Sequence, residues 1–224
     1  NPDGLLKPSS KSFICRAIMS AAVEKLLRHP SIWRAGAAPK PEAGHLATGW
    51  SELDAALPGG GWPLGALTEI LTISPGVGEL GMLLPALNKL VEQQLWLAWV
   101  APPMVPYAPA LAAHGCDLSH VLSVTPQTDT QALWAAEQLL HASSTGAVLL
   151  WTHSNEERHL RRLQLAAETS GSLAILFRSA QMAGVSSPAA LRLLVSGASQ
   201  VDRGPYVEVL KCRGRRPLQR LSVG

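Results

Sequence analysis

Between an apolar run and an amphipathic run lies the segment Ile73-Ser74-Pro75-Gly76-Val77-Gly78-Glu79-Leu80. In that setting a glycine-rich loop can fold its backbone N–H groups around a phosphate at the start of a helix. The working pattern is G-x-x-x-x-G-K-[ST], whose lysine reaches the phosphates and whose hydroxyl holds Mg²⁺. Here Ile73 replaces the first glycine, Glu79 replaces the lysine and Leu80 replaces the hydroxyl, while Gly76 and Gly78 remain. Pro75 also removes a backbone N–H. Reversing the charge turns an attraction of about 1–4 kcal/mol per charge pair at ~4 Å into repulsion of similar size. Glu79 moreover brings its own negative charge to the helix start. The segment therefore reads as a degenerate phosphate loop, a turn kept for the fold, and no cofactor is expected.

Two other places agree. A strand that delivers a catalytic glutamate should end in a carboxylate, but this one ends Trp99-Val100-Ala101-Pro102-Pro103-Met104. A strand that delivers a magnesium-binding aspartate should end in one, but Gly146-Ala147-Val148-Leu149-Leu150-Trp151-Thr152 places Trp151 or Thr152 there. No cysteine or carboxylate cluster joins His153 and His159 at metal spacing, and Ser154 has no G-x-S-x-G elbow around it. The expectation is a chain that is not an enzyme, with no catalytic and no metal site.

What remains is binding. Trp33 follows Leu27 and Ile32 and is a candidate anchor for a partner groove. Trp96, Trp99 and Trp134 read instead as core. Arg158, Arg161 and Arg162 mark one face of a helix that buries Leu160, Leu163 and Ala167, with Glu157 placed to pair with Arg161. Arg203, Lys211, Arg213, Arg215, Arg216 and Arg220 crowd the C-terminus. Such a tail can touch nucleic acid or an acidic partner, with Arg213, Arg215 and Arg216 as its candidates, or simply stay solvated.

These residues need a scaffold. Hydrophobic residues make up 47% and charged residues 16%, which excludes a disordered chain and supplies a substantial core. No apolar run approaches the ~18 residues of a membrane span. The cysteines, Cys15, Cys116 and Cys212, are far apart and suit a reducing cytoplasm rather than a disulfide framework.

Strands are expected at Leu64–Ile73, Leu95–Val100, Ala147–Trp151, Leu173–Phe177, Leu191–Val195 and Tyr206–Arg213. Helices are expected near Leu80–Gln94, Tyr107–His114, Thr130–His141 and Glu156–Thr169. Apolar strands alternating with helices predict an α/β fold with a mostly parallel sheet covered on both sides. In the last strand Val207, Val209 and, further along, Lys211 share a face, which suits a sheet edge. Pro85 should cost its helix about 3 kcal/mol or kink it. Before this core, residues 1–18 read as an extension whose status the sequence leaves open. Residues 19–46 read as a short helix on a Pro-containing linker, and 47–224 as one domain ending in the basic tail.

The stretch Thr48-Gly49-Trp50-Ser51-Glu52-Leu53-Asp54, the turn Gly59-Gly60-Gly61 and Pro63-Leu64-Gly65-Ala66-Leu67-Thr68-Glu69-Ile70 resemble the T-G-x-x-x-L-D, glycine turn and P-x-G-x-x-x-E-I of RecA-family proteins. The resemblance implies a RecA-like core. Trp96-Leu97-Ala98-Trp99-Val100-Ala101-Pro102-Pro103, Ala132-Leu133-Trp134-Ala135-Ala136-Glu137-Gln138 and Arg161-Arg162-Leu163-Gln164-Leu165 further resemble ImuA, a SulA- and RecA-like family of bacterial SOS mutagenesis operons. That likeness implies a DNA-damage-induced accessory protein. Its implied partners are an ImuB-type inactive Y-family polymerase homologue, RecA and a DnaE-type polymerase; homo-oligomerisation stays open. The rival likeness is to SulA, a cell-division inhibitor that binds FtsZ, and a third reading is an enzyme using ATP by an unusual route.

Overall fold

The computed structural model describes residues 44–197, 204–213 and 220–223. The expectations for residues 1–18 and for the N-terminal helix and most of its linker, together with Leu27, Ile32, Trp33, Arg215 and Arg216, lie outside the described residues.

The described chain opens with β1 (His45–Leu46), paired antiparallel with β2 (Trp62–Pro63) around the short helix α1 (Ser51–Ala56). The Thr48 N–H donates to Asp54 Oδ1 at 2.7 Å, and Thr48 Oγ1 accepts from the Trp50 N–H at 3.1 Å. The T-G-x-x-x-L-D stretch thus knits itself into a turn, and the fully buried Leu53 and Trp62 anchor it in the core.

The remaining elements are β3 (Ala66–Thr72), α2 (Glu79–Glu92), β4 (Trp96–Val100), α3 (Ala108–Ala113), β5 (Val121–Val124), α4 (Asp129–His141), β6 (Thr145–Trp151), α5 (Glu157–Ser170), β7 (Leu173–Ser179), β8 (Leu191–Ser196), β9 (Tyr206–Cys212) and β10 (Leu221–Ser222). The main sheet runs β10-β9-β8-β3-β7-β6-β4-β5. From β8 to β5 every pairing is parallel, and β9 and β10 join antiparallel.

All of β3 is buried, as a strand covered on both faces must be. α2 covers one face with Leu83, Leu87 and Leu90. α4 and α5 cover the other with Leu133, Leu140, Leu160 and Leu163, and each such leucine contributes about 1.5–3 kcal/mol by leaving water. Thr128 caps α4 by accepting from the Gln131 N–H, and Gly171, at φ +72°, ends α5. The expected α/β architecture with a mostly parallel sheet is the one observed.

Four local expectations change. Trp134 is 62% exposed, not core. The buried stripe of α4 is Ala132, Leu133, Ala136 and Leu140, and at the helical period Trp134 falls on the opposite face. Trp96 is 42% exposed because it opens β4 at the sheet's rim, where its ring lies 5.5 Å from that of His120. Trp99 is buried as expected.

The third change is β5, a strand not anticipated: it has four residues, and Leu122 and Ser123 are exposed, so it lacks an alternating signature. The fourth concerns Lys211. The β8–β9 register shifts between Arg192 and Leu193, so Lys211 pairs with Arg192 while Val209 pairs with Leu193. That bulge turns Lys211 away from the face of Val207 and Val209. β9 is also flanked by β10 and is not itself the edge.

Pro85 sits inside α2, which is assigned unbroken from Glu79 to Glu92. Pro85 leaves the Gly81 carbonyl without its helix N–H, and at the next residue the Trp50 indole N–H donates to the Met82 carbonyl at 3.0 Å. Gly49, at φ +90°, makes room for the ring: a Cβ there would stand 2.5 Å from Pro85 Cβ.

Candidate functional site

The degenerate loop leaves the carboxyl end of β3, which has parallel neighbours on both sides, β7 and β8. The crevice outside the carboxyl ends of strands is where open α/β sheets bind ligands. Ile73 is 79% exposed. Gly76 and Gly78 take φ of +85° and +100°, angles that favour glycine. Gly78 stands at the N-cap of α2, where no side chain caps the helix.

Glu79 turns inward and is 4% exposed. Its Oε1 accepts from the Gly76 N–H at 2.8 Å, while its Oε2 is buried and has no hydrogen-bond partner among the described residues. Leu80 and Val77 pack against the core. The loop therefore presents a carboxylate where phosphate chemistry needs a cation, and an apolar side chain where it needs a metal-binding hydroxyl.

The other two expected positions are filled differently. After β4 the chain turns at Ala101, with φ +55°. At the end of β6 the Trp151 ring stacks on Phe177, with centroids 4.4 Å apart and planes 10° apart, and it tilts against Trp99 at 6.2 Å. This aromatic layer occupies the place where an aspartate would face a metal ion. Thr152 is buried, and its Oγ1 accepts from the Ser154 N–H. Among the described residues no group of three or more His, Cys, Asp or Glu could hold a metal ion, and no helix is long and apolar enough to cross a membrane.

The structure brings forward a cluster that pattern reading passed over. Glu69, the acid of the P-x-G-x-x-x-E-I stretch, is fully buried in β3. Its Oε2 accepts from Arg192 Nε of β8 at 2.7 Å, and its Oε1 accepts from Arg178 Nη1 of β7 at 3.3 Å and from the Ser187 hydroxyl. Arg192 also donates to the Met182 carbonyl, and Arg178 to the side chain of Asn155. Lys211 reaches the Ser187 carbonyl at 2.7 Å. Burial first, then the nearby Arg213 and Arg192 charges, hold Lys211 below the ordinary lysine range, while Glu69 pulls it the other way. The motif position was the available signal, but it did not name the partners.

Arg158, Arg161 and Arg162 all lie on exposed faces of α5, and each meets a glutamate: Glu156, Glu157 and Glu137 respectively. The Arg162–Glu137 pair bridges α5 to α4, beside a small pocket of about 130 Å³ lined by Leu133, Trp134, His159 and Leu163. A patch so neutralised is a weak attractor for nucleic acid.

In the tail, the Arg213 N–H donates to the Ala190 carbonyl. The Arg220 guanidinium lies 3.9 Å from the centre of the Tyr206 ring. A second cleft, about 470 Å³, runs beside α2 between Trp50, Met82, Pro85, Asn88 and Pro205.

Residues 65–174 match the family model described as "Cell division inhibitor SulA". The matched segment runs from Gly65 through β3, the loop and α2 into β7, just under half of the chain. In that segment the chain is similar to SulA. No curated protein matches the chain.

Proposed function

We propose that this chain is a non-catalytic, RecA-like accessory protein of the SulA-like class that acts by protein–protein contact in the bacterial DNA-damage response, as an ImuA-type subunit of a translesion synthesis assembly. The observation that carries the non-catalytic reading is Glu79, whose carboxylate takes the Gly76 amide inside the loop where a triphosphate would lie. The missing carboxylates after β4 and β6 support it. The ImuA-type assignment rests on the sequence resemblance. It makes an ImuB-type polymerase homologue and RecA the partners, with a DnaE-type polymerase downstream, in the cytoplasm. The exposed Ile73, Val105 and Tyr107 in the loops after β3 and β4 offer apolar contact on what would have been the nucleotide face.

A second reading, a SulA-type division inhibitor that binds FtsZ, is favoured by the match over residues 65–174. Co-purification separates the two: retention of the ImuB-type homologue and RecA is expected, and binding to FtsZ alone assigns the chain to the second reading. Calorimetry with Mg²⁺ and ATP is expected to show no binding. Micromolar, magnesium-dependent binding would overturn the non-catalytic reading.

A further inference from the structure

The start of α2 is a site for negative charge that already holds one. Its first N–H groups have no partners within the helix, and a helix N-terminus of this length favours an anion. The helix has no side-chain cap at Gly78. The only carboxylate in its first turn is Glu79, which folds back beneath the exposed loop Ile73–Gly76 and takes the Gly76 N–H. Glu79 is more than nine-tenths buried, and its second oxygen has no partner among the described residues.

A buried carboxylate oxygen with no donor is costly. Glu69, one element earlier, shows how this chain treats a buried acid that is purely structural: with two arginines and a hydroxyl. Among the described residues Glu79 has no cationic partner. Its one donor among them is the Gly76 backbone amide, and it lies at the start of α2, where a bound phosphate would also meet backbone N–H groups.

We propose that Glu79 is the loop's own anion. Its carboxylate fills a site shaped for a phosphate group, and the site accepts free phosphate or pyrophosphate only when that side chain is removed. This inference rests on the non-catalytic reading above and adds to it: the loop is occupied from within rather than merely stripped of its catalytic residues. Gly76 and Gly78 are retained because their positive φ angles aim the loop at that carboxylate.

The test is thermal unfolding of the wild type and Glu79→Ala with and without millimolar pyrophosphate, against sodium chloride of matched ionic strength. Pyrophosphate is expected to raise the Tm of Glu79→Ala by about 2–4 °C, a typical response for a chain of this size, and to leave the wild type unmoved. Glu79→Ser removes the carboxylate while keeping a residue tolerated at helix starts. It must show the same gain, and it carries the test if the alanine variant does not fold. In the wild type the Gly76 amide NMR signal is expected to ignore pyrophosphate, and in the serine variant to shift with it.

Variants that ignore pyrophosphate overturn the proposal, as does a wild type that responds equally. Failure of the two readings is distinguishable. Binding of Mg²⁺ and ATP by the wild type removes both, whereas a wild type that binds no nucleotide and variants deaf to pyrophosphate remove only this inference.

Discussion

Glu69 and Glu79 are both buried carboxylates, one inside β3 and the other just past the loop that β3 delivers, yet the chain holds them in opposite ways. Glu69 sits among two guanidinium groups and a hydroxyl contributed by β7, β8 and the segment between them. Among the described residues Glu79 has one backbone N–H and an oxygen without a donor. Burying a charge is tolerable when it is paired and hydrogen-bonded, and expensive otherwise. The first acid is therefore part of what fastens three parallel strands in register, and the second, on the inference above, is the loop's own anion. The two acids lie on consecutive elements, β3 and α2.

The sharpest way to break this comparison is to remove the acid from each. Glu69→Ala leaves Arg178 and Arg192 buried without their counter-charge, and losing one partner of a buried pair costs about 3–5 kcal/mol. A loss of that size is a large part of a domain's net stability of about 5–15 kcal/mol, so the variant is expected to be strongly destabilised and, at the low end of that range, unfolded or insoluble. Urea denaturation of Glu69→Gln against Glu79→Gln provides the folded control. The first should still lose several times more than the second, which keeps an acceptor for Gly76 and gives up an unpartnered charge. Equal losses would erase the distinction between a structural acid and a resident anion.

That asymmetry also decides what could be read in advance. Glu79 was legible because a phosphate loop is a local pattern, and a wrong residue in a short motif stands out. The alternation of apolar runs with helical stretches made the parallel α/β sheet legible for the same reason. Glu69 stood in a recognised motif too, but its partners lie 109 and 123 residues further along the chain, and no spacing rule connects them. β5 is short and half-exposed, so neither burial nor alternation announced it. Lys211 changed face because of a single bulge, which sequence periodicity does not register. Trp134 shows the limit of composition: a tryptophan beside Leu133 suggests a core, yet the stripe Ala132, Leu133, Ala136 and Leu140 is the buried face of α4 and Trp134 lies opposite it.

The comparison can be sharpened on the opening turn, where the chain also spends sequence on packing rather than chemistry. Gly49 adopts φ +90°, and an added Cβ would meet Pro85 in α2 at 2.5 Å. Gly49→Ala must therefore strain its own backbone and push on the helix that carries Glu79, a combined cost of about 2–4 kcal/mol. The measurement is the urea midpoint. If the glycine of the T-G-x-x-x-L-D stretch serves packing, its replacement lowers the midpoint without creating any response to pyrophosphate. A pyrophosphate response in Gly49→Ala would mean that moving α2 is enough to empty the loop, and that Glu79 is held in place chiefly by the helix behind it.

The smallest effect is expected on α5, where charges are paired in water rather than in the core. Arg162 and Glu137 are bridged at the surface, with the arginine side chain 61% exposed, so solvent screening leaves such a pair about 0–1 kcal/mol. Arg158 and Arg161 are no more buried and have their own glutamates. Replacing all three arginines with alanine should shift the urea midpoint little, because Leu160, Leu163 and Ala167 still hold the helix to the sheet. Removing the arginines uncovers Glu137, Glu156 and Glu157, so any DNA affinity that runs through this face must collapse and its salt dependence must flatten. Unchanged DNA affinity is the expected result, since each arginine's charge is already answered by a neighbouring carboxylate. A loss of affinity with a flattened salt dependence would show that the glutamates yield their arginines to phosphate, and would make α5, rather than the basic C-terminal tail, the part of the surface that meets nucleic acid.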